Sequence, residues 1–112
     1  MNNTKQIGDA NEGLATRYLE THGFSIVERN YYARKLGEID IIASKAGVLH
    51  FIEVKSGDTN YDPIYNFTPS KIRKVINSAQ YFLKERKLNL PLCIDALVVR
   101  KGKVELIENI TL

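Results

Sequence analysis

The chain has 112 residues, of which 44% are hydrophobic and 26% are charged, a balance that fits one compact globular domain. No apolar run approaches the ~20 residues of a membrane helix, and the first residues lack the apolar core of a signal peptide. The single cysteine, Cys93, excludes a disulfide framework within the chain and a cysteine-based zinc site. We therefore expect one domain over residues 1–112, in the cytoplasm and without membrane contact. The net charge of +3 permits a nucleic-acid partner but does not require one.

The hydrophobic pattern predicts helices and strands in the order α-β-β-β-α-β-β. A first helix is expected to run from Thr4 or Gly8 to His22. A second helix is expected after Thr68, a favourable N-cap, with Pro69 as its first residue. The predicted strands are Phe24–Asn30, Ile39–Ala43, Val48–Val54, Leu92–Val99 and Val104–Ile107. This order predicts an α/β fold in which helices flank a mixed central sheet of about five strands.

Two of the predicted strands carry an acid among apolar residues, Asp40 in the second strand and Glu53 in the third. The dipeptide Ala46-Gly47 suits a two-residue hairpin loop, which pairs Lys45 with Val48. The same register places Asp40 opposite Glu53. Like charges in direct opposition destabilise a sheet unless one is protonated or a cation lies between them. A divalent metal that prefers oxygen ligands, such as Mg²⁺, would satisfy this arrangement.

The alternation of side chains along a strand places Ile39 and Ile41 on one face of the sheet and Asp40 on the other. Lys55 is expected opposite Glu38, from which position it could stabilise charge on a phosphate. The simpler alternative is that the acids are solvated at strand ends and that Glu38 and Lys55 form a surface ion pair of little energy. The charge pattern alone favours this alternative.

A longer pattern surrounds these acids. Asp40, twelve further residues and then Glu53-Val54-Lys55 form a spacing that resembles the PD-(D/E)XK nuclease signature. Together with Glu12-Gly13-Leu14-Ala15 and Gly37–Ala43 in the same order, this spacing resembles the YraN family of small bacterial endonuclease candidates. The resemblance covers the chain from about residue 8 to residue 99. It implies the restriction-endonuclease-like fold, which that family shares with archaeal Holliday junction resolvases.

The resemblance also implies a role for particular residues. It implies that Asp40 and Glu53 are metal ligands, with the backbone carbonyl of Val54 as a further ligand. Lys55 is then the catalytic lysine, and Glu12 is the acid that the first helix contributes. The implied cofactor is Mg²⁺ or Mn²⁺. The implied activity is hydrolysis of phosphodiester bonds in DNA, and the likeness to resolvases points to branched or junction DNA.

Basic residues near this site are candidates for contacts with DNA phosphates, although a solvated helix face is the alternative. They are Lys71, Arg73 and Lys74 in the second helix, and Arg34 and Lys35 before the second strand. Two arginines that are common in the YraN family are missing. Ser56-Gly57 stands where Thr-Arg is common, and Cys93 stands where Arg is common.

Ser56–Thr68 forms a long polar loop with three aromatic residues, Tyr61, Tyr65 and Phe67. Stacking on unpaired bases and packing against the core are equally favoured for these rings. His50 is expected to be a partly exposed strand residue without a metal-binding partner. Asp95 either supports the site or is a hydrogen-bonded core acid.

The sequence is compatible with two other functions. The chain could be a nucleic-acid-binding module that keeps the fold without catalysis, or a partner protein in DNA processing or uptake. The intact Asp40, Glu53 and Lys55 argue against the first of these. A homodimer is attractive for a nuclease, because one small domain offers one site and cleavage of both strands needs two.

Overall fold

The protein is described by a computed structural model over residues 4–57 and 67–111, in which five strands form one mixed sheet with a helix on each face. The elements are α1 (Thr4–Thr21), β1 (Ser25–Tyr32), a short 3-10 helix (Arg34–Leu36), β2 (Glu38–Lys45), β3 (Val48–Ser56), α2 (Pro69–Glu85), β4 (Leu92–Arg100) and β5 (Lys103–Ile107). This order confirms the predicted α/β architecture of the restriction-endonuclease-like fold. The 3-10 helix is an addition that the hydrophobic pattern did not indicate.

The strands lie side by side in chain order, and only β3 and β4 of these pair in parallel. A parallel pair needs a crossover connection, and α2 lies within the segment that supplies it. This helix begins as predicted: the Thr68 side chain accepts a hydrogen bond from the Lys71 backbone N–H at 3.3 Å, and Pro69 follows. The cap fixes where the first turn of α2 lies, and that turn borders the site described below.

The predicted hairpin between β2 and β3 is confirmed. Ala46 and Gly47 both have left-handed φ angles, 52° and 80°, as a two-residue turn of this kind requires. Lys45 pairs with Val48 in the predicted register, which continues as far as the pair Ile41–Ile52. There the β2–β3 ladder ends, while β3 continues its pairing with β4 to Ser56. The next two positions on these strands are those of Asp40 and Glu53, at the end of the ladder.

The two faces of the sheet carry separate apolar clusters, which explains why the central strands are apolar on both sides. Leu19 of α1 packs with Ile41 and Ile52 on one face. Phe82 of α2 packs with Ile42 and Phe51 on the other face. The rings of Phe51 and Phe82 meet edge to face, with their centroids 5.8 Å apart.

The expected alternation along β2 is wrong at one point. Ile39 packs in the α2-side cluster with Ile42, and not with Ile41 on the α1 side. The partner of Ile39 in β1 is Tyr31, which follows Asn30, a residue with a φ angle of 53°. A left-handed residue interrupts the extended conformation of a strand. The faces of the sheet therefore change beside Asp40.

The predicted pairing of Glu38 is also wrong. Glu38 pairs with Tyr32 on the β1 side of β2, and no ion pair joins it to Lys55 within the described residues. The reason is that the β2–β3 ladder has ended before this position. None of the helices in the described ranges is long and apolar enough to span a membrane.

Candidate active site

Asp40 and Glu53 lie where the β2–β3 ladder stops. Oδ2 of Asp40 accepts a hydrogen bond from the backbone N–H of Val54 at 2.8 Å. The backbone N–H of Asp40 lies near the carboxylate of Glu53 and acts to lower its pKa. The side chain of Asp40 thus bonds to the backbone of β3 at the point where the ladder between the two strands has ended.

Burial and mutual repulsion make both acids hard to ionise. Burial raises the pKa of Asp40 above its ordinary value, and the N–H of Val54 opposes this effect. Burial, and then the nearby charge of Asp40, raise the pKa of Glu53 to about 8. At neutral pH the pair therefore holds a proton unless a cation takes its place.

One oxygen of this pair is left without a partner. Oε1 of Glu53 is buried and has no hydrogen-bond partner among the residues that the structure describes. A buried acceptor without a partner costs about 1–3 kcal/mol, so such atoms call for an explanation. Two adjacent carboxylates form the hard oxygen donor set that Mg²⁺ and Mn²⁺ prefer. The residues present fit a divalent cation of this class.

Lys55 and Glu12 are the charged residues that act on the pair from β3 and α1. The ammonium of Lys55 is close enough to lower the pKa of both carboxyl groups, against the larger effect of burial. Glu12 reaches the site from α1, and its charge contributes to the raised pKa of Asp40. Oε1 of Glu12 also lies 3.4 Å from Nη2 of Arg29, and the Glu12 side chain is 19% exposed. Arg29, which the sequence did not single out, positions Glu12 at the margin of the site.

The predicted DNA-contacting residues divide into three groups. Lys71 and Lys74 line a cavity of about 150 Å³ whose wall includes Glu53 and Glu38. Arg73 lies on another side of α2, where it lines a separate hollow. Arg34 and Lys35 belong to the 3-10 helix and line a third hollow. The structure therefore brings the two lysines to the acids, but not Arg73.

One of the three aromatic residues predicted in the long loop lies at the site. Phe67 lines the same cavity as Glu53. Tyr61 and Tyr65 lie outside the described residues.

A second group of polar side chains lies on β3 and β4. Nδ1 of His50 lies 2.6 Å from Oδ2 of Asp95, and Oδ1 of Asp95 accepts the backbone N–H of Asn109 at 2.9 Å. Ligand-type atoms of His50, Cys93 and Asp95 all lie within 4.8 Å of one another. Both oxygens of Asp95 are thus hydrogen-bonded, and Asp95 is a core acid that ties β3 to the segment after β5.

The prediction for His50 is wrong on both counts. His50 is buried, because the Phe24 ring packs edge to face on it with centroids 5.0 Å apart. Cys93 and Asp95 are its neighbours, since the parallel pairing of β3 and β4 places Cys93 directly opposite His50. A parallel register between strands that are distant in sequence leaves no short-range pattern from which this grouping could be found.

Comparisons with known proteins agree with the family inferred from the motifs. A family model described as "Uncharacterised protein family UPF0102" matches residues 11–99. A UPF0102 protein of Sulfurovum sp. (strain NBC37-1) is 60% identical over 108 residues, which are 96% of this chain and 96% of that protein. A UPF0102 protein of Wolinella succinogenes is 56% identical over 101 residues, covering 90% of this chain and 92% of its own length. A Helicobacter pylori (strain HPAG1) relative is 57% identical over 100 residues, 89% of this chain and 86% of its own. The predicted family is therefore confirmed, and the chain belongs to the YraN family, the uncharacterised family UPF0102.

Proposed function

We propose that this protein is a nuclease that hydrolyses phosphodiester bonds in DNA with the help of bound Mg²⁺ or Mn²⁺. The observation that carries the proposal is the buried Oε1 of Glu53 beside Asp40, which has no partner within residues 4–57 and 67–111. A pair of acids serving only to join two strands would be expected to bond all of its buried oxygens. A bound divalent cation would give this oxygen a partner, and its charge would favour the ionised form of two carboxyl groups whose pKa burial raises.

The ligands of this cation would come from three groups. Asp40 uses Oδ2 for the Val54 N–H, which leaves Oδ1 for a cation. Glu53 offers Oε1. In an extended strand the N–H and C=O of one residue point to the same edge, so the Val54 carbonyl also points toward β2, past the last ladder pair. When bound, a divalent cation supplies Lewis-acid polarisation of a phosphoryl oxygen and activation of water.

The other residues of the site have simpler roles. Lys55 carries a partly buried ammonium with three N–H donors beside the acids, which suits it to stabilise negative charge on the phosphorus-bound oxygens in the transition state. Glu12, held by Arg29, adds negative charge at the same end of the sheet and can orient a water or a second ligand. Both roles depend on groups fixed by strands or helices, which is the kind of support that catalysis requires.

The substrate follows from charge and position. Lys71 and Lys74 are exposed on α2 along the cavity that Glu53 lines, where they can bind the phosphates on either side of the scissile bond. The two arginines missing relative to the YraN pattern reduce the number of such contacts, so binding to DNA by charge alone should be modest. Branched or junction DNA remains the preferred substrate class by likeness to the resolvases.

The proposal is tested by cleavage of end-labelled single-stranded, duplex, flap and four-way-junction DNA in Mg²⁺ and in Mn²⁺. Asp40→Asn removes a proposed ligand, and Glu38→Gln is its matched control, because Glu38 is an exposed acid in the cavity of Glu53 and is not one of the three proposed ligands. We expect the wild type and Glu38→Gln to cleave and Asp40→Asn to be inactive.

Equal cleavage by Asp40→Asn would contradict the proposal, since the activity would then come from another site or another protein. DNA binding in chelator with no cleavage in either metal would instead favour the non-catalytic binding module. A protein that neither cleaves nor binds DNA but is captured by a DNA-processing protein would favour the partner role.

A further inference from the structure

The 3-10 helix between β1 and β2 forms one wall of a surface hollow of about 500 Å³, and α2 forms the other. Tyr32, at the end of β1, is 69% exposed at this hollow, although it is one of the larger apolar rings of the chain. The residues that line the hollow are Tyr32, Ala33, Arg34, Lys35, Leu36 and Tyr81. It therefore combines two aromatic rings with two cationic side chains.

The backbone around this hollow is held in place. The N–H of Ala33 donates to the carbonyl of Gly37 at 2.8 Å, and the N–H of Leu36 donates to the carbonyl of Ala33 at 3.0 Å. Ala33 itself is fully buried. Nε of Arg34 donates to the hydroxyl of Tyr81 at 3.0 Å, which joins the two walls. The hollow is thus formed before any ligand arrives.

The chemistry of the hollow suits one part of a nucleic-acid strand. Aromatic rings stack on the faces of unpaired bases of any sequence, and nearby cations bind the phosphates. An acid of α2 near the hollow, Glu85, accepts a hydrogen bond from the Tyr31 hydroxyl at 2.8 Å and lies 3.9 Å from Nε of Arg86. The charged side chains that line the hollow itself are those of Arg34 and Lys35, so the hollow presents positive charge to a ligand.

The position of the hollow relates it to the proposed active site. Lys71, Lys74, Ser78 and Tyr81 follow one another at spacings of three or four residues, which places them along one face of α2. The first three line the cavity of Glu53, and Tyr81 lines the hollow. From Lys74 to Tyr81 the helix rises about 10 Å, so the cavity and the hollow follow one another along the same face of α2.

We propose that this hollow binds an unpaired base of the same strand whose phosphate lies at Asp40 and Glu53, so that the protein prefers DNA with a single-stranded stretch. This inference rests on the proposed nuclease function for its substrate. The preference for single-stranded DNA has a physical reason. In a duplex both faces of each base are covered by the neighbouring bases. Tyr32 can therefore stack only on a base that has left the duplex or was never in one.

The absence of tryptophan from the chain permits a direct test. In Tyr32→Trp the new indole is the only one, and stacking of a base on it quenches its fluorescence. The matched control is Val27→Trp, because Val27 is 45% exposed on the same strand, roughly 16 Å away along β1. Both full-length variants are titrated with labelled oligothymidylate in chelator, with fluorescence anisotropy as an independent measure of binding.

We expect saturable quenching of the indole fluorescence in Tyr32→Trp that follows the anisotropy, and no quenching in the control. A second variant, Tyr32→Ala, removes an exposed ring and leaves the core intact; it should weaken binding of the single strand by about tenfold. In Tyr32→Ala the affinity should depend on salt concentration as strongly as in the wild type. In Arg34→Gln this dependence should be weaker, because only the arginine contacts a phosphate.

Three results would overturn the proposal: binding by anisotropy without quenching in Tyr32→Trp, equal quenching in both tryptophan variants, or no binding of the oligonucleotide at all. The first two would leave the nuclease assignment intact, because cleavage is measured separately with metal. Conversely, the wild type could fail to cleave DNA while Tyr32→Trp shows the expected quenching. This result would contradict the proposed nuclease function and support the proposed base-binding hollow.

Discussion

Oδ2 of Asp40 lies 2.8 Å from the backbone nitrogen of Val54, so a side chain continues the contact between β2 and β3 after their backbone ladder has ended. Beyond the end of the ladder, the space between β2 and β3 is therefore held in a fixed geometry and lined by oxygen atoms. This relationship separates two effects of replacing Asp40: loss of a charge, and loss of an acceptor for the Val54 N–H. An asparagine keeps the acceptor and removes the charge.

Asp40→Asn should abolish stabilisation by metal without unfolding the protein. At a Mn²⁺ concentration about one hundred times Kd, a bound ion stabilises the folded state by about 2.7 kcal/mol, which corresponds to a rise in Tm of about 10 °C or more for a chain of this size. We expect this rise for the wild type and for Glu38→Gln, and none for Asp40→Asn, in thermal unfolding with and without Mn²⁺. An equal rise in all three proteins would place the ion elsewhere.

The stability of the metal-free protein should fall as pH rises through neutrality. The pKa of Glu53 is about 8 in the folded state and near 4.5 when unfolded, so between these values the folded state binds more protons than the unfolded state. Under that condition the free energy of unfolding decreases with pH. The raised pKa of Asp40 acts in the same direction.

Urea unfolding in chelator between pH 5 and pH 9 measures this effect, which we expect to be on the order of 2 kcal/mol after allowance for solvent at the end of the sheet. Glu53→Gln removes the titrating group, so it should be the more stable protein at high pH and should show a flatter profile. A wild-type profile that is flat, or that rises across this range, would show that Glu53 is ionised in the folded state without a cation.

Lys55→Met should separate chemistry from metal binding. Methionine keeps much of the length of the side chain but loses the ammonium, and removal of one group that stabilises transition-state charge lowers kcat by about 100-fold or more. Metal binding should survive, because the ammonium repels a cation held by the same two acids. The test compares cleavage rates with the Mn²⁺-dependent rise in Tm; loss of both would show that Lys55 instead maintains the structure of the site.

The parts of this site that are local in sequence could be predicted from it. Ala46-Gly47 fixes a two-residue turn, and the turn fixes which residues of β2 and β3 face each other. Thr68 and Pro69 fix the start of α2, and with it the position of Lys71. In each case a few adjacent residues determine the geometry.

Features that depend on distant pairing could not be predicted in this way. The β2–β3 ladder ends next to Asp40, and the faces of β2 change at Ile39. Both features depend on how these two strands pair with β1 and β4. The grouping of His50 with Cys93 and Asp95 follows from a parallel register with β4, across α2 and a long loop. The hollow at Tyr32 and Tyr81 joins residues that lie far apart in the chain, and Tyr81 is part of the amphipathic pattern of α2, which by itself indicates only packing.

Asp95→Ala should destabilise the fold without affecting the proposed chemistry. Asp95 is fully buried, and its two oxygens bond to His50 and to the N–H of Asn109; truncation leaves both partners without an acceptor. A loss of about 3 kcal/mol is expected from buried groups left unsatisfied, and urea unfolding at pH 7 measures it against Glu105→Ala, the removal of an exposed acid from neighbouring β5. Asp95→Ala should still show the Mn²⁺-dependent rise in Tm, because the hydrogen bonds of Asp95 go to His50 and Asn109 and to neither acid of the pair Asp40–Glu53. If it lost that rise while still folded, His50, Cys93 and Asp95 would be part of the metal site and not only of the core.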